Sequence, residues 1–392
     1  MKSIRNLGIG REIWLLSFVL FLVEFARGAT LVSFVPIYGK EILIINATMI
    51  GAAITAHYLT DTGLKIVIGY LLDRFSIRFI VHSGLLISLI GMFMFQYGSR
   101  PGLFILASAL YGVGMSPIWI VCLSKVSPER RATQMGYLYT IWLIGMGLGP
   151  VVCNLLIDAS PKLTYWILVL LTLGAWFLSM FISNERQSSI DTIPLRTQLR
   201  MLGERLRMMR PLLPGMILQT TGASMIVPIL PSFAQGSLAL TSGQYSLLLL
   251  LGGACAVVGL IPMGKLADQF GRKWFLVIGF AIFAFALYSL SMLPSLRLTF
   301  IWAIVLGLSY SAVLPAWNAL LASYIPPSQK GLGWGLFSTV EGIGVMIGPV
   351  LGGFLSDMYN EQTVVMISAV LFGLIALFYI LYPIRSSKGE AL

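Results

Sequence analysis

Long apolar stretches, each about the length of a membrane crossing, fill the chain and are separated by short polar segments. A bilayer-spanning helix needs about 20 mostly apolar residues, and twelve stretches meet this requirement. Their approximate bounds are 13–38, 48–72, 78–97, 102–125, 133–157, 163–183, 212–235, 243–266, 274–293, 297–324, 332–356 and 362–383. The pattern predicts an all-α membrane protein with twelve transmembrane helices. The first stretch is too long for a signal-peptide core and contains Glu24 and Arg27, so we expect it to be retained.

The longest polar stretch, 184–211, lies at the midpoint of the chain. It ends in an amphipathic piece in which Leu and Met alternate with Arg. We therefore predict an N-terminal six-helix bundle over 1–183, a cytoplasmic linker over 184–211 and a C-terminal six-helix bundle over 212–392.

Composition supports this assignment, because hydrophobic residues make up 57% of the chain and charged residues only 10%. The mean hydropathy is +0.89. A soluble domain carries about 25% charged residues, so the composition excludes a cytosolic enzyme, a secreted disulfide scaffold and a disordered regulator. The three cysteines lie in apolar stretches without metal-site spacing, and we expect small buried side chains.

The distribution of positive charge predicts the topology. If the N-terminus is cytoplasmic, the inner segments hold 20 of the 26 Lys and Arg residues and the outer loops hold four. Short loops rich in these residues remain on the cytoplasmic side, so both termini should be cytoplasmic. The basic linker lacks interleaved aromatic residues, which favours contact with anionic lipid headgroups over nucleic acid.

The two halves of the chain share short sequence echoes in the same order. Residues 69–78 recur at 264–273, Pro117-Ile-Trp119 as Pro315-Ala-Trp317, and Gly149-Pro150 as Gly348-Pro349. Two parallel repeats are one known build of a secondary transporter, with the substrate cavity near mid-membrane. The glycines around each Gly-Pro allow helices to pack closely and bend.

These segments resemble the major facilitator superfamily over the whole chain. The resemblance rests on the loop Gly-x-x-x-Asp73-Arg74-x-x-x-Arg after the second span, its copy after the eighth, and the Gly-Pro of spans five and eleven. It implies two pseudo-symmetric bundles of six helices and alternating access. It also implies that residues of the two loops gate the cytoplasmic side, namely Asp73, Arg74, Asp268 and Arg272.

A narrower resemblance is to the flippases of that superfamily that move the glycolipid anchor of lipoteichoic acid. It is carried by residues 22–28, 116–119, 134–142, 227–231 and 314–318. It implies a proton-coupled antiporter with a polar N-terminal half for a sugar headgroup and an apolar C-terminal half for acyl chains. It favours a ligand role for Trp119 and Trp142, which otherwise would be expected simply to pack.

Ionisable residues inside the predicted spans are the main functional signal, since each is costly in a bilayer. Glu24 and Arg27 share a helix face at i,i+3 spacing and can pair. His57, Asp61 and Lys65 follow at i, i+4 and i+8 in the second span. The matching spans of the other half carry only Lys265 at an edge, so we expect a cavity charged on one side and apolar on the other.

We expect Glu24 or Asp61 to bind and release a proton and Arg27 to tune that site and contact polar substrate. Glu24, Asp61 and His57 are also candidate substrate contacts. A purely structural salt-bridge role is the alternative for the charges. His57 has an unperturbed pKa near neutrality and is a candidate for a proton role, with a hydrogen-bonded residue of the cavity wall as the alternative. Lys65 is either a membrane-surface anchor or part of the site.

In the C-terminal half the isolated charge within a span is Glu341, among the glycines of span eleven. An intramembrane carboxyl indicates function. We expect either a second protonation site or a neutral helix contact.

Other classes of function fit less well. The chain has no HExxH, CxxC pair, Walker loop or GxSxG, so neither an enzyme nor an ATP-driven pump is expected. A channel or receptor would not need the repeat with charges at mid-span. A transporter without an ATP site or cofactor must use an ion gradient, and the three carboxyls favour protons over sodium.

We expect a monomer in the plasma membrane that transports an amphipathic lipid-linked saccharide among membrane lipids. A proton-coupled multidrug efflux antiporter acting on drug-like molecules is the alternative, and a small nutrient the third possibility.

Overall fold

The computed structural model describes residues 11–72, 75–98, 100–125, 131–184, 207, 210, 212–323 and 330–381. All regular elements within these ranges are helical. The chain divides into two compact units, Met1–Asp191 and Thr192–Leu392. Most of the predicted linker lies outside the described residues.

The N-terminal unit contains seven main helices in its described part. They are α1 (Arg11–Gly28), α2 (Ala47–Gly63), α3 (Lys65–Leu72), α4 (Ile77–Met94), α5 (Pro101–Ser124), α6 (Arg131–Ala159) and α7 (Pro161–Ser179). After α1 the chain remains helical to Ile42, with π-helical turns at Ala29–Phe34 and Tyr38–Ile42. The C-terminal unit repeats this order with α8 (Leu213–Ile226), α9 (Ser242–Phe270), α10 (Arg272–Ser291), α11 (Leu296–Ser323), α12 (Lys330–Met358) and α13 (Glu361–Leu381).

Eleven helices of the described residues are long and apolar enough to cross a membrane. The second predicted span differs, because it is divided into α2 and α3 at Leu64. The break is local: the amide of Ile68 donates to the carbonyl of Leu64, and the helical ladder resumes. The prediction of an all-helical membrane protein is confirmed.

Helix pairing is the same in the two units. In the first, α1 packs on α6, α5 packs on both α2 and α4, and α7 packs on α4. In the second, α8 packs on α12, α11 packs on both α9 and α10, and α13 packs on α10. The internal repeat of the sequence is therefore also a repeat of packing.

The turn before the second helix of each unit repeats in backbone detail. Asn46 caps α2 by accepting from the amide of Met49 at 3.0 Å, and Thr241 caps α9 in a capping box with Gln244. Two residues before each cap, Ile44 has φ 54° and Ala239 has φ 53°. Non-glycine residues seldom adopt this conformation, so its recurrence shows that these two turns are equivalent.

Close packing of α1 on α6 depends on glycine. A Cβ added at Gly145 would lie 3.1 Å from the Glu24 side chain, and one at Gly149 would collide with the carbonyl of Phe25. Gly147, on the other side of the helix, has open space. Small residues that let helix backbones approach are the usual basis of packing in membranes. Here they bring α6 against the part of α1 that carries Glu24.

Candidate functional site

Four charged side chains of α1, α2 and α3 form a continuous chain of ion pairs. The Nη2 atom of Arg27 lies 2.5 Å from Oε2 of Glu24, and its Nη1 atom lies 3.6 Å from Oδ2 of Asp61. The Nζ atom of Lys65 lies 3.8 Å from the same oxygen of Asp61. We call this set, Glu24, Arg27, Asp61 and Lys65, the charge chain.

The members of the charge chain differ in exposure. The side chain of Lys65 is 37% exposed, that of Arg27 11%, that of Asp61 8% and that of Glu24 2%. Lys65 is therefore the accessible member of the charge chain, and the other three side chains are nearly enclosed.

Helix α5 holds the α2 part of the charge chain in place. The hydroxyl of Ser116 donates to the backbone carbonyl of Asp61 at 2.7 Å, and that of Thr60 donates to the carbonyl of Ala109 at 2.8 Å. At Gly112 a Cβ would collide with the carbonyl of His57 and the Thr60 hydroxyl. These contacts hold Asp61 and its helix against α5, which also packs on α1, and sequence reasoning did not identify them.

The charge chain can respond chemically to a proton. Its formal charges cancel, which reduces the penalty of holding charge in a poorly solvated region. Protonation of either carboxylate would remove one of the attractions that hold Arg27 between them. The guanidinium would then be free to shift toward the other carboxylate.

His57 lies next to the charge chain but is enclosed. It has no exposed surface, and its ring packs at 5.5 Å between centroids against both Tyr58 and Tyr111. The backbone of Ser108 lies beside the ring, although no described residue meets hydrogen-bond geometry with either nitrogen. The geometry favours the cavity-wall alternative over direct substrate contact.

An aromatic cluster lies on α5 and α6. The ring centroid of Trp119 is 5.1 Å from that of Tyr139 and 6.4 Å from that of Trp142. Both tryptophans are partly exposed. Trp142 lies one helical turn from Gly145, where α6 contacts Glu24. The structure therefore brings Trp119 and Trp142 together, and places Trp142 on the helix that contacts Glu24.

In the C-terminal unit Glu341 on α12 is held by two neutral donors. Its Oε1 atom accepts from the indole Nε1 of Trp317 at 2.9 Å and from the amide of Gln219 at 3.3 Å. No described Lys or Arg forms an ion pair with it. The sequence pointed to Glu341 but not to these donors, although the repeated Pro-x-Trp motif marked Trp317.

The two spans of that unit that the sequence predicted to be apolar correspond to α8 and α9. Along α8 and α9 the one Lys, Arg, Asp or Glu before residue 266 is Lys265, near the C-terminal end of α9. Helix α9 exposes a row of aliphatic side chains: Leu247, Leu250, Val257, Val258 and Ile261. Cys122 and Cys153 are buried as expected, whereas Cys255 on α9 is partly exposed.

The predicted gate residues are described only in part. Asp73 and Arg74 lie outside the described residues, and so does the side chain of Asp268. Arg272 is exposed at the start of α10, where its Nη1 atom donates to the carbonyl of Ala319 at 3.4 Å. This contact ties α10 to α11.

Comparison with known proteins places these features in a family. The model of the Major Facilitator Superfamily matches residues 14–209 and 212–391. The proton-coupled antiporter flippase LtaA of Staphylococcus haemolyticus (strain JCSC1435) is 31% identical over 395 residues, covering 100% of this chain and 98% of that protein. LtaA of Staphylococcus aureus (strain N315) is 30% identical, covering 99% and 98%.

Solved structures show the same fold at lower identity. The crystal structure of the nucleoside transporter NupG matches with a TM-score of 0.77 and 15% identity, covering 95% of this chain and 98% of that chain. The crystal structure of a mutant of the same transporter matches with a TM-score of 0.76 and 15% identity, covering 94% and 99%.

Proposed function

The chain belongs to the major facilitator superfamily and is a multi-span membrane transporter rather than an enzyme, and on this premise we propose that it is a proton-coupled antiporter that moves a glycolipid. The proposed substrate is an amphipathic glycolipid of the lipoteichoic-acid anchor type. It would be moved by alternating access, and both termini would be cytoplasmic.

The observation that carries proton coupling is the charge chain. Two nearly enclosed carboxylates share the guanidinium of Arg27, and ionisable groups inside a membrane protein usually serve transport or proton relay. A carboxylate that loses its share of Arg27 on protonation gives the transporter two states of different charge. A ligand that prefers one of these states becomes coupled to the proton.

Protons fit this arrangement better than sodium. Sodium is bound by several oxygen ligands, whereas Asp61 lies within 4 Å of both Arg27 and Lys65. A sodium ion at Asp61 would meet two positive charges at short range. A proton is small enough to occupy one carboxylate oxygen without displacing either cation.

The glycolipid assignment is supported by the polarity of the two units taken separately. In the N-terminal unit, partly exposed Trp119 and Trp142 accompany Arg27, a combination suited to sugar rings and hydroxyl groups. In the C-terminal unit, the aliphatic row on α9 suits acyl chains. The relatives at 30–31% identity are named as flippases.

The loops after the second and eighth spans are proposed to gate the cytoplasmic side. This role falls on Asp73, Arg74, Asp268 and Arg272. The contact of Arg272 with the carbonyl of Ala319 supports a part in holding helix ends together.

Export of drug-like molecules is the second candidate function. It is favoured by Glu341, a carboxylate for which the described part of the chain supplies no cation. A cationic amphiphile could supply that charge. The same aliphatic row on α9 would then accommodate its apolar portion.

Native mass spectrometry of the protein purified from its own membranes tests the assignment. We expect a species at 42.9 kDa plus one diglycosyl-diacylglycerol. Trp142→Ala should lose this adduct, whereas Trp166→Ala, at an exposed tryptophan on α7, should retain it. Recovery of phospholipid alone, or equal adducts on both variants, would contradict the glycolipid assignment. A dimer mass would contradict the monomer prediction.

A further inference from the structure

Glu341 connects three helices of the C-terminal unit through one oxygen atom. Its helix, α12, packs directly on α8, which supplies Gln219, while Trp317 comes from α11. Trp317 is 2% exposed and packs against Tyr379 at 6.0 Å between centroids. The indole is thus fixed by its surroundings, and so is the direction of its N–H group.

The repeat relates Glu341 to an aromatic residue of the other unit. When Gly348-Pro349 of α12 is matched to Gly149-Pro150 of α6, Glu341 falls at the position of Trp142. The position that carries the indole of Trp142 in the N-terminal unit therefore carries a carboxyl in the C-terminal unit.

The repeat also relates the first helices of the two units. The equivalent glycines of α6 and α12 place Thr220 at the position of Glu24, because Gly145 faces the side chain of Glu24 and Gly344 faces that of Thr220. The acid on α1 of one unit is thus a threonine on α8 of the other, and Gln219, which contacts Glu341, is the next residue along the chain. Between the paired helices of each unit, one carboxyl is retained, but it has moved to the opposite helix.

Trp317 also has an equivalent in the N-terminal unit, Trp119, because Pro315-Ala-Trp317 matches Pro117-Ile-Trp119. In the N-terminal unit Trp119 lies 6.4 Å from Trp142, ring to ring. In the C-terminal unit the equivalent tryptophan donates a hydrogen bond to Glu341. The same framework holds two neighbouring aromatics in one unit and an anchored carboxyl in the other.

The electrostatic surroundings of the two carboxyls also differ. Glu24 has Arg27, whereas the described residues around Glu341 supply no cation within ion-pair distance. Helix α8 carries no titratable side chain. Tyr310 on α11 interacts electrostatically with Glu341, Tyr379 on α13 packs on Trp317, and the remaining acids, Asp357 on α12 and Glu361 on α13, lie more than four helical turns along their helices from this level.

We infer that Glu341 is a second proton-binding site of the transporter, with Trp317 and Gln219 as its positioning residues. Both N–H groups contact Oε1, so the proton is taken up on Oε2 and released from it to water. Without a cation, the deprotonated carboxylate is stabilised by these two donors alone. The inference rests on the proposed function only in assuming that protons drive transport.

Infrared difference spectroscopy of the purified transporter between acid and neutral pH tests the site without any substrate. We expect a carbonyl band of a protonated carboxyl that Glu341→Gln removes. Trp317→Phe and Gln219→Leu should move this band to higher wavenumber, because hydrogen bonds to the carbonyl oxygen weaken the C=O bond. Trp302→Phe, at a tryptophan on the same helix that packs on Phe285, should leave it in place.

Absence of a Glu341-dependent band, or a band that Trp317→Phe leaves unmoved, would overturn the inference. Wild-type folding of each variant is checked by size-exclusion chromatography. Since no substrate is present, failure of the glycolipid assignment would not affect this result.

A variant in which the carboxyl and the amide exchange positions distinguishes a proton-binding role of Glu341 from a purely structural contact. Gln219→Glu with Glu341→Gln exchanges acid and amide across the same hydrogen bond. Glu341→Gln alone should lower proton-driven transport by about 5- to 150-fold, the usual range of coupling between two sites, and the exchange variant should recover part of that loss. Wild-type transport by Glu341→Gln would show that the contact is only structural.

Discussion

The guanidinium of Arg27 lies 2.5 Å from the carboxylate of Glu24, one turn earlier on the same helix. The same guanidinium reaches Asp61 on α2 at 3.6 Å. The two carboxylates, on two different helices, therefore share a single cation. Protonation or removal of one carboxylate changes the electrostatic environment of the other.

This sharing predicts strong non-additivity in stability. Arg27→Ala leaves two buried carboxylates without their shared cation and should cost about 3–5 kcal/mol. Adding Glu24→Gln should restore about 1 kcal/mol or more, because one uncompensated charge is removed. Thermal unfolding of the single and double variants in the same detergent measures both values. Additive losses would show that the two side chains are not coupled.

Two glycines of α6 provide a matched test of the packing that positions Glu24. Gly149→Ala should destabilise the protein and reduce transport, because its Cβ would collide with the carbonyl of Phe25. Gly147→Ala should be tolerated or stabilise by about 0.5–1 kcal/mol, since the site is open and alanine favours helix. Unfolding temperatures and transport rates of the two variants test whether Gly149 is needed for close packing of α6 on α1. Equal effects would mean that α1 and α6 do not pack through these glycines.

The charge distribution of the loops predicts sidedness. In a variant whose three native cysteines are replaced, a cysteine at Ser188 should react with a membrane-impermeant reagent only in inverted vesicles. A cysteine at Arg100, in a predicted outer loop, should react only in intact cells. The reverse pattern would overturn the topology.

The two units should make separable contributions to substrate binding. Leu250→Asp places a carboxyl on the aliphatic face of α9, where Leu250 is 43% exposed. It should weaken binding of the glycolipid, because the acyl chains would contact an unpaired polar group. It should not weaken binding of the bare disaccharide headgroup. Arg27→Ala should weaken both ligands wherever that variant still folds. Calorimetry with the two ligands measures the pattern, and equal loss of both with the Leu250 variant would refute the division.

Much of the fold follows from the sequence because hydrophobic length and repeat spacing are local signals. The pairing of Glu24 with Arg27 was also predictable, since i,i+3 residues share a helix face. The break at Leu64 follows Gly63 in the polar run Thr60-Asp61-Thr62-Gly63. The prediction relied on the length of the apolar stretch, which is enough to cross a membrane with or without a break.

Contacts between helices are the part that the sequence could not supply. The reach of Arg27 to Asp61 depends on how α1, α2 and α5 pack, and the bond from Trp317 to Glu341 joins residues of different helices. His57 shows the reverse case: its residue type suggested a ligand contact, and its enclosure by Tyr58 and Tyr111 became visible only in the packed unit.

Gradient-driven movement of a diglycosyl-diacylglycerol in proteoliposomes tests the central claim most directly. The wild type should move the lipid when a proton gradient is imposed and slow when it is collapsed. Glu24→Gln and Asp61→Asn should abolish the response while remaining folded, and Glu41→Gln, at an exposed glutamate beyond α1, should behave as wild type. Wild-type rates in the Glu24 and Asp61 variants, or transport of a cationic amphiphile without transport of the glycolipid, would contradict the account.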